Sequence, residues 1–291
     1  MSYVFTYGTL MKGQDAYGRF GEMKYIANGV LRGYGLYEVE EGFPAAVPVR
    51  GFSVYGEIYE VDEDVLRKLD RYEMEGSLYV RRLMEIETDS KPVDAWFYEY
   101  KKDVEGLELR APVGKWTKER KPVHDYAWYV CYGSNLLRER FDVYAGSTES
   151  TVYAEKPYML KGEIYFAKES GRWDDKGVCF LDLNKKDHES YGWAYLVDRD
   201  KIKLISDEEG TKWYPVQELG KDEYGIDAYT VTGDWTSQKN EPCIDYLTII
   251  AAGLQQRFDL SQNEIRRYLD YNGRIRTDDC LVHEIIEKHC G

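Results

Sequence analysis

Runs of Val, Ile, Tyr, Phe and Trp, either alternating with polar residues or continuous, recur along most of the chain. Such runs are typical of strands, because alternate residues of a strand face opposite sides of a sheet. They predict strands at residues 3–7, 54–61, 80–87 and 93–100, and again at 127–132, 162–167, 178–183, 191–197 and 226–231. The chain is therefore expected to be rich in β-sheet along both halves.

Apolar residues at helical spacing interrupt this pattern in three places. They predict helices at residues 62–72, 243–258 and 260–271. Asp62 and Ser261 precede two of these segments and are good N-cap residues, while Pro242 is placed at the first turn of the remaining one. Strands followed by helices in each half predict an α+β fold.

The two halves also repeat each other in sequence. VFTYGTL, residues 4–10, corresponds to YVCYGSN, residues 129–135, and the segment 55–73 aligns without a gap to 191–209. Both longer segments begin with Tyr-Gly, pass through Tyr-x-Val-Asp-x-Asp and end on glutamate. Two tandem copies of one domain is the economical interpretation.

Charged residues, Pro and Gly replace the strand pattern between the two halves. We therefore predict a first domain at 1–105, a linker at 106–125, a second domain at 126–272 and a C-terminal tail at 273–291. The tail is expected to be loosely attached or to form one short helix.

Composition restricts the class of protein. A net charge of −14 argues against a nucleic-acid or anionic-membrane partner, since phosphates repel such a surface. The five cysteines include no C-x-x-C pair, which makes a disulfide framework unexpected. The chain has neither the pattern of a signal peptide at its start nor an apolar run of ~18 residues, so a cytoplasmic protein is expected.

The repeated Tyr-Gly turns are the first candidate for chemistry. Glycine after a tyrosine at a strand end lets the backbone turn tightly and bring several N–H groups to one side, where they can bind a carboxylate or an oxyanion. An isolated Tyr-Gly-Thr is more often an ordinary turn. Here the motif occurs twice, each time followed by a second Tyr-Gly strand, a helix and an aligned glutamate.

Glu73 is the second candidate. It follows the end of a predicted helix, where a carboxylate is electrostatically unfavourable, and its neighbours are partly apolar. Its pKa should therefore rise towards neutrality, which suits a general base, although a solvated loop glutamate is the simpler alternative. Glu75 is an alternative base in the first half, and the doublet Glu208-Glu209 leaves the choice open in the second.

These motifs resemble the γ-glutamylcyclotransferase-like superfamily, also called AIG2-like, in two copies. In the first half the resemblance rests on Tyr7-Gly8-Thr9-Leu10, Gly42-Phe43-Pro44-Ala45, Tyr55-Gly56, Leu69 to Glu73, and Tyr79 to Arg82, and it points to the γ-glutamylamine branch. In the second half it rests on Tyr132-Gly133-Ser134-Asn135, Tyr191-Gly192, Glu209-Gly210 and 242–269, and it points to the γ-glutamylcyclotransferase proper.

The resemblance implies compact mixed β-barrels flanked by helices, and enzymes that release 5-oxoproline from γ-glutamyl compounds. It implies Glu73 and Glu209 as bases. The loops of the two copies would bind the substrate through Tyr7, Gly8, Thr9, Leu10, Tyr132, Gly133, Ser134 and Asn135. The implied partner is a small γ-glutamyl molecule, and the implied chemistry needs no metal and no organic cofactor.

Departures from the family pattern keep other interpretations open. In the second copy Ile205-Ser206 replaces leucine-aspartate before the glutamate, and 173–177 lacks the expected glycine-rich strand. That copy could be a degenerate scaffold, and the whole chain could be a non-catalytic binder of a small carboxylate.

The four histidines are scattered without zinc-site spacing, and His289 is expected to be solvated in the tail. The sequence does not indicate which amine is released, because that specificity is expected to lie in loops such as 15–29 and 169–176. It does not indicate the oligomeric state either.

Overall fold

The structure, a computed structural model, describes residues 1–39, 42–107, 109, 116, 123–145 and 152–290. The chain divides into two compact units, Met1–Asp125 and Tyr126–Gly291. The predicted linker at 106–125 lies mostly outside the described residues. Among those that are described, no helix is both long and apolar enough to cross a membrane.

The first unit is a five-stranded mixed sheet with one helix. Its elements are β1 (Ser2–Thr6), β2 (Lys24–Glu38), β3 (Pro44–Val61), α1 (Glu63–Tyr72), β4 (Tyr79–Ile86) and β5 (Val93–Tyr100). The strand order is β2-β3-β1-β5-β4, with β1 antiparallel to β3 and parallel to β5. The sheet curves until its two edges meet at a single bridge, where Val30 and Glu87 exchange backbone hydrogen bonds of 2.9 and 3.1 Å.

The core of this unit lies on the concave side of the curved sheet. Buried apolar side chains from all five strands pack together there, among them Phe5, Leu31, Ile58, Ile86 and Phe97. Burial of this face stabilises the sheet by roughly 25 cal/mol for each Å² of apolar surface removed from water. The strands consequently hold their ends, and the residues that follow them, in fixed positions.

The second unit has more elements. They are β6 (Tyr126–Cys131), α2 (Arg138–Ala145), β7 (Ala154–Lys161), β8 (Glu163–Ser170), β9 (Lys176–Asp182), β10 (Glu189–Asp198), α3 (Arg199–Glu209), β11 (Val216–Lys221), β12 (Asp227–Val231), α4 (Ile244–Phe258), α5 (Gln262–Tyr268) and α6 (Asp279–Cys290). Its main sheet has the order β11-β12-β6-β10-β7, and β8 and β9 form a separate hairpin.

Both main sheets have the same topology. In each, the first strand is central, antiparallel to the strand that precedes the glutamate-bearing helix and parallel to the last strand of the sheet. The edge strands also correspond, since β2 pairs with β3 as β7 pairs with β10, and β4 pairs with β5 as β11 pairs with β12. Two copies of one domain would have this arrangement, with α2, the β8–β9 hairpin and the C-terminal helices added to the second.

The α+β prediction is confirmed, and all nine predicted strands are present. The described strands form curved sheets without a continuous closed ladder, and in the first unit the Val30–Glu87 bridge joins the two edges. Three strands were missed, namely β2, β7 and β11, so residues 24–29 of the expected 15–29 specificity loop are in fact part of β2.

The helix predictions need one correction at their ends. Asp62 and Ser261 cap α1 and α5 as predicted, and Ser261 forms a full capping box with Glu264. Pro242 does not start α4, because Cys243 is the N-cap and accepts a hydrogen bond from the backbone N–H of Tyr246. The C-terminal tail contains α6, a helix of 12 residues.

Candidate functional site

A cleft of about 240 Å³ opens at the end of β1 in the first unit. It is lined by all five of the residues predicted for this copy, together with aromatic and apolar side chains from the surrounding strands and from the end of α1. These lining residues are Phe5, Thr6, Tyr7, Gly8, Thr9, Leu10, Phe43, Pro44, Tyr72, Glu73, Leu78, Tyr79 and Tyr98. The repeated Tyr-Gly turn and its aligned glutamate therefore meet at one cavity.

Two buried tyrosines fix the walls of this cleft. The hydroxyl of Tyr7 donates to the backbone carbonyl of Tyr98 on β5, and the hydroxyl of Tyr79 donates at 2.6 Å to the carbonyl of Pro44 on β3. Burial raises the pKa of both phenols above their usual value, so they stay neutral donors. These bonds tie three strands and the Tyr-Gly turn together around the cavity.

Gly8 is required for a different reason from the one predicted. Its backbone is not in the left-handed region, but a Cβ at this position would lie 2.1 Å from Cγ of Pro44. Because a proline ring cannot swing aside, only glycine allows the turn to approach β3 this closely. The turn nevertheless exposes donors, as predicted: over the described residues, the backbone N–H groups of Gly8, Thr9 and Leu10 donate to no other protein group.

Glu73 lies at the C-cap of α1, where its backbone N–H donates to Leu69 O at 2.9 Å. Its half-buried carboxyl group accepts no hydrogen bond from any described residue. Desolvation raises its pKa to about 7, which agrees with the direction expected from the sequence. Glu75, the alternative base, is exposed and does not line the cleft.

The helix that carries Glu73 is held at both ends. At its start, the Asp62 side chain accepts from the N–H of Val65 at 2.8 Å. Near its end, Asp70 binds the Arg81 guanidinium with both oxygens, at 2.9 and 2.8 Å, and accepts at 2.8 Å from the hydroxyl of Tyr98. Arg81 in turn stacks on Trp96, so the last turn of α1 is fastened to β4 and β5.

The second unit contains a smaller cleft, of about 30 Å³, at the equivalent place. All five residues predicted for this copy line it as well. The lining residues are Tyr129, Cys131, Tyr132, Gly133, Ser134, Asn135, Cys179, Glu209, Tyr214, Val231 and Tyr246. Glu209 is half-buried at the end of α3, whereas Glu208 is exposed and does not line the cleft.

The contacts of the first cleft recur in the second. The hydroxyl of Tyr132 donates to Val231 O at 2.8 Å, as Tyr7 does to Tyr98. The hydroxyl of Tyr214 donates to Cys179 O at 3.1 Å, as Tyr79 does to Pro44. Gly133, which follows Tyr132, packs on Cys179, as Gly8 packs on Pro44. The contact is looser, because a Cβ on Gly133 would still be 3.3 Å from Cβ of Cys179.

Two differences separate the clefts. Asn135 stands where the first cleft has Leu10, and its amide donates to the Glu209 carboxylate at 2.9 Å. Tyr246, on a helix with no counterpart in the first unit, reaches into the second cleft, and its hydroxyl accepts from the N–H of Cys179 at 3.1 Å. Asn135 therefore replaces an apolar side chain with a polar one, and Tyr246 adds a side chain from an element that the first unit lacks.

Sequence reasoning missed several lining residues. Tyr79 and Tyr214 could have been found from the sequence, since a tyrosine follows each aligned glutamate at a similar distance. That spacing does not indicate what the two tyrosines do. Pro44, Tyr98, Cys179 and Val231 take part through their backbone carbonyls, which any residue type supplies. Nothing in the pattern around Tyr246 distinguishes it from a core residue of α4.

The structure shows the surroundings of the cysteines and of the C-terminal His289. The four cysteines whose side chains are described are free thiols, and burial raises the pKa of Cys131 to about 12, consistent with an inert core residue. The expectation of a solvated His289 is wrong: its side chain is 4% exposed and stacks on Trp173 with 4.6 Å between ring centres.

His289 belongs to a group of possible metal ligands with Asp174 and Asp245. The Nζ atom of Lys288 lies 2.9 Å from Asp245 and 3.9 Å from Asp174. Asp245 is thus paired with the ammonium and also contacts His289 Nε2 at 2.9 Å, so the group is explained as an ion-pair cluster that fastens α6 to α4 and to the loop before β9.

Comparison with known proteins agrees with the geometry of the first unit. A profile of the family described as "Gamma-glutamyl cyclotransferase, AIG2-like" matches residues 4–118. The γ-glutamylcyclotransferase family protein YtfP of Citrobacter rodentium is 35% identical over 112 residues, which cover 36% of this chain and 88% of that protein. The chain belongs to the γ-glutamylcyclotransferase family. The γ-glutamylaminecyclotransferase of Mus musculus is 34% identical over 112 residues, covering 33% of this chain and 73% of the mouse protein.

Two solved structures are also similar to this chain. An AIG2-like protein from Mus musculus is 27% identical, covers 42% of this chain and 97% of its own, and has a TM-score of 0.35. YkqA from Bacillus subtilis is 19% identical, covers 92% of this chain and 97% of its own, and has a TM-score of 0.38.

Proposed function

We propose that the first cleft catalyses intramolecular cyclisation of a γ-glutamyl compound, releasing 5-oxoproline and a free amine, with Glu73 as general base. The observation that carries this proposal is the Glu73 carboxyl, which lies in the cleft beside the Tyr7–Leu10 turn, has no hydrogen-bond partner among the described residues and has a pKa of about 7. A base with this pKa is half ionised at neutral pH and can both accept and return a proton. Membership of the family supports the same class of activity.

The reaction moves two protons from the α-amino nitrogen to the leaving nitrogen and exchanges one carbon–nitrogen bond. Glu73 removes a proton from the α-ammonium group, because only the neutral amine is a nucleophile. The amine nitrogen then attacks the γ-carbonyl carbon, forming a five-membered ring and a tetrahedral oxyanion. The bond from carbon to the leaving nitrogen breaks as that nitrogen takes up the proton held by Glu73. The regenerated carboxylate then removes the second proton from the ring nitrogen and passes it to the released amine, which leaves as an ammonium. Neither oxidant nor co-reactant is consumed.

The turn supplies the complementary charge. The free N–H groups of Gly8, Thr9 and Leu10 are positioned to donate to the substrate carboxylate or to the oxyanion, and such donors typically contribute 10²–10³ in rate each. The attack is intramolecular, so the cleft accelerates it further by holding the glutamyl chain folded back on itself.

The test is release of 5-oxoproline from a panel of γ-glutamyl amines, amino acids and peptides. Glu73→Gln should lose at least ~100-fold in kcat/KM, the usual contribution of a general base. Glu75→Gln is the matched control, two residues away but outside the cleft, and should stay near wild type. Equal losses in both variants, or no turnover of any substrate by the wild type, would refute the proposal.

A second candidate function is the same reaction, or ligand binding without turnover, in the second cleft. It is favoured by the repeated tyrosine-to-carbonyl bonds and by N–H groups of Gly133, Ser134 and Asn135 that donate to no other group of the described chain. Substrates turned over by Glu73→Gln but not by Glu209→Gln would identify a second active site. A non-catalytic second cleft requires that Glu209→Gln retain activity on every substrate.

A further inference from the structure

The third residue after the cleft tyrosine is the clearest chemical difference between the two clefts. The turns read Tyr-Gly-Thr-Leu in the first copy and Tyr-Gly-Ser-Asn in the second, so Leu10 and Asn135 occupy equivalent positions. Both side chains are 4% exposed, and each lies in the same cleft as the aligned glutamate. The chain therefore contains its own comparison of an apolar and a hydrogen-bonding residue at one position.

In the second cleft, the polar residue is held rigidly against the glutamate. The Asn135 amide donates to Glu209 at 2.9 Å and lies 3.1 Å from the hydroxyl of Tyr129. Its backbone carbonyl accepts at 3.2 Å from the hydroxyl of Tyr195, which Arg257 contacts at 2.8 Å. The amide is thus positioned from both its side chain and its backbone.

In the first cleft, Leu10 offers no donor. Four phenols line the cleft with Glu73, and the hydroxyl of each has a partner of its own. Those of Tyr7, Tyr79 and Tyr98 donate to Tyr98 O, Pro44 O and the Asp70 carboxylate respectively. That of Tyr72 lies 3.4 Å from Thr9 Oγ1. The nearest cation on the adjoining strand, Arg81, is paired with Asp70. Over the described residues, nothing compensates the Glu73 carboxylate for its loss of water.

We propose that the residue at this position controls how readily the cleft glutamate releases its proton, so that Leu10 is the positioning residue that keeps Glu73 poised between its two forms at neutral pH. This inference rests on the proposed role of Glu73 but concerns a property that can be measured without catalysis. A hydrogen bond donated to a carboxylate favours its ionised form, and an apolar wall does not.

The test compares Leu10→Asn with Leu10→Ile in the full chain. The ionisation midpoint of Glu73 is followed by ¹³C NMR of the glutamate side-chain carboxyl carbons, with Glu73→Gln used to assign the signal. Leu10→Asn should lower the midpoint by about one pH unit, a tenfold increase in the acid dissociation constant. Leu10→Ile, which keeps the volume and adds no donor, should leave it unchanged.

A second readout follows the proposed reaction. The acidic limb of the kcat/KM profile should move with the NMR midpoint in Leu10→Asn and stay in place in Leu10→Ile. Leu10→Gln brings the same amide on a longer chain and replaces Leu10→Asn if that variant does not fold. An unmoved midpoint in both amide variants, or an equal movement in Leu10→Ile, would overturn the inference. A midpoint that moves in a protein without cyclisation activity would instead refute the proposed function.

Discussion

At the scale of single residues, Glu73 is partly buried and its carboxyl has no hydrogen-bond partner among the residues that the structure describes, and this combination predicts a pH dependence. Because the base must be ionised to accept a proton, kcat/KM should be constant above pH 8 and fall about tenfold for each pH unit below a midpoint near the pKa of about 7. The measurement is initial-rate 5-oxoproline release from pH 5 to 9. A profile that stays flat down to pH 5 would exclude Glu73 as the base.

Gly8 and Gly133 allow a second test at this scale, because the same substitution meets different neighbours. A Cβ on Gly8 would lie 2.1 Å from the Pro44 ring, whereas one on Gly133 would be 3.3 Å from its nearest neighbour, in Cys179. We expect Gly8→Ala to cost on the order of 1–3 kcal/mol in the free energy of unfolding through overpacking. Gly133→Ala should cost clearly less. Denaturant unfolding measures both, and a larger loss in Gly133→Ala would contradict the steric explanation.

At the scale of elements, the position of Glu73 depends on how α1 is fastened. Asp70 pairs with Arg81 and Tyr98 in a half-buried network, while Asp64 on the same helix pairs with Lys68 in water. Asp70→Ala should reduce stability by about 1–3 kcal/mol, since it leaves Arg81 without its anion. It should also lower kcat/KM, because the last turn of α1 is released.

Asp64→Ala is the control for this prediction. Asp64 pairs with Lys68 and Arg67 in water and lies in the first turn of α1, so this variant should lower stability by less than about 1 kcal/mol and leave activity intact. Equal effects of the two substitutions would show that the Asp70 network does not position the helix.

The strands that the sequence did not reveal have one property in common. All three missed strands, β2, β7 and β11, lie at the edges of their sheets. β11 reads Val-Gln-Glu-Leu-Gly-Lys and has no buried residue, so its hydrophobic pattern is too weak to identify it. Strands with a neighbour on each side bury at least one face and were identified, because burial forces the alternation on which the prediction depends.

The candidate site was predictable to the extent that side chains form it. The Tyr-Gly turns and Glu73 were found because their residue types repeat at corresponding places in the two halves. The carbonyls of Pro44 and Tyr98 could not be found, since a backbone acceptor leaves no trace in the residue type. The reason for Gly8 was also hidden, because its contact with Pro44 depends on how closely β3 approaches the turn.

At the scale of the whole molecule, the repeated sheet topology allows the two clefts of one chain to be compared directly, since most of the cleft contacts recur and a few differ.

The elevated pKa of Glu73 also has a consequence for the stability of the fold. In the unfolded chain its pKa returns to about 4.5, so between pH 4.5 and 7 the folded state binds more protons than the unfolded state. Stability contributed by the protonated group is therefore full below pH 4.5 and is lost as the pH rises through 7.

Glu73→Gln should remove this loss. It should raise the free energy of unfolding of the first unit by up to about 3 kcal/mol at pH 8, given about 1.4 kcal/mol for each unit of pKa difference. At pH 4 the two proteins should have nearly equal stability. Native-state hydrogen exchange of the β1 and β3 amides in the full chain measures the difference, and an equal gain at both pH values would point to a cause other than the charge.

The same unpaired carboxyl also has a consequence for motion. Exposed side chains exchange rotamers within picoseconds to nanoseconds, whereas enzymatic turnover typically takes milliseconds or longer, so a partly buried side chain that no hydrogen bond holds has time to turn within one cycle. In the proposed reaction, Glu73 takes a proton from one nitrogen and returns it to another, so its carboxyl must face two directions within one cycle. A carboxylate clamped by fixed donors would have to break those bonds each time. No described residue donates a hydrogen bond to the Glu73 carboxyl, so it can turn from the nucleophile to the leaving group.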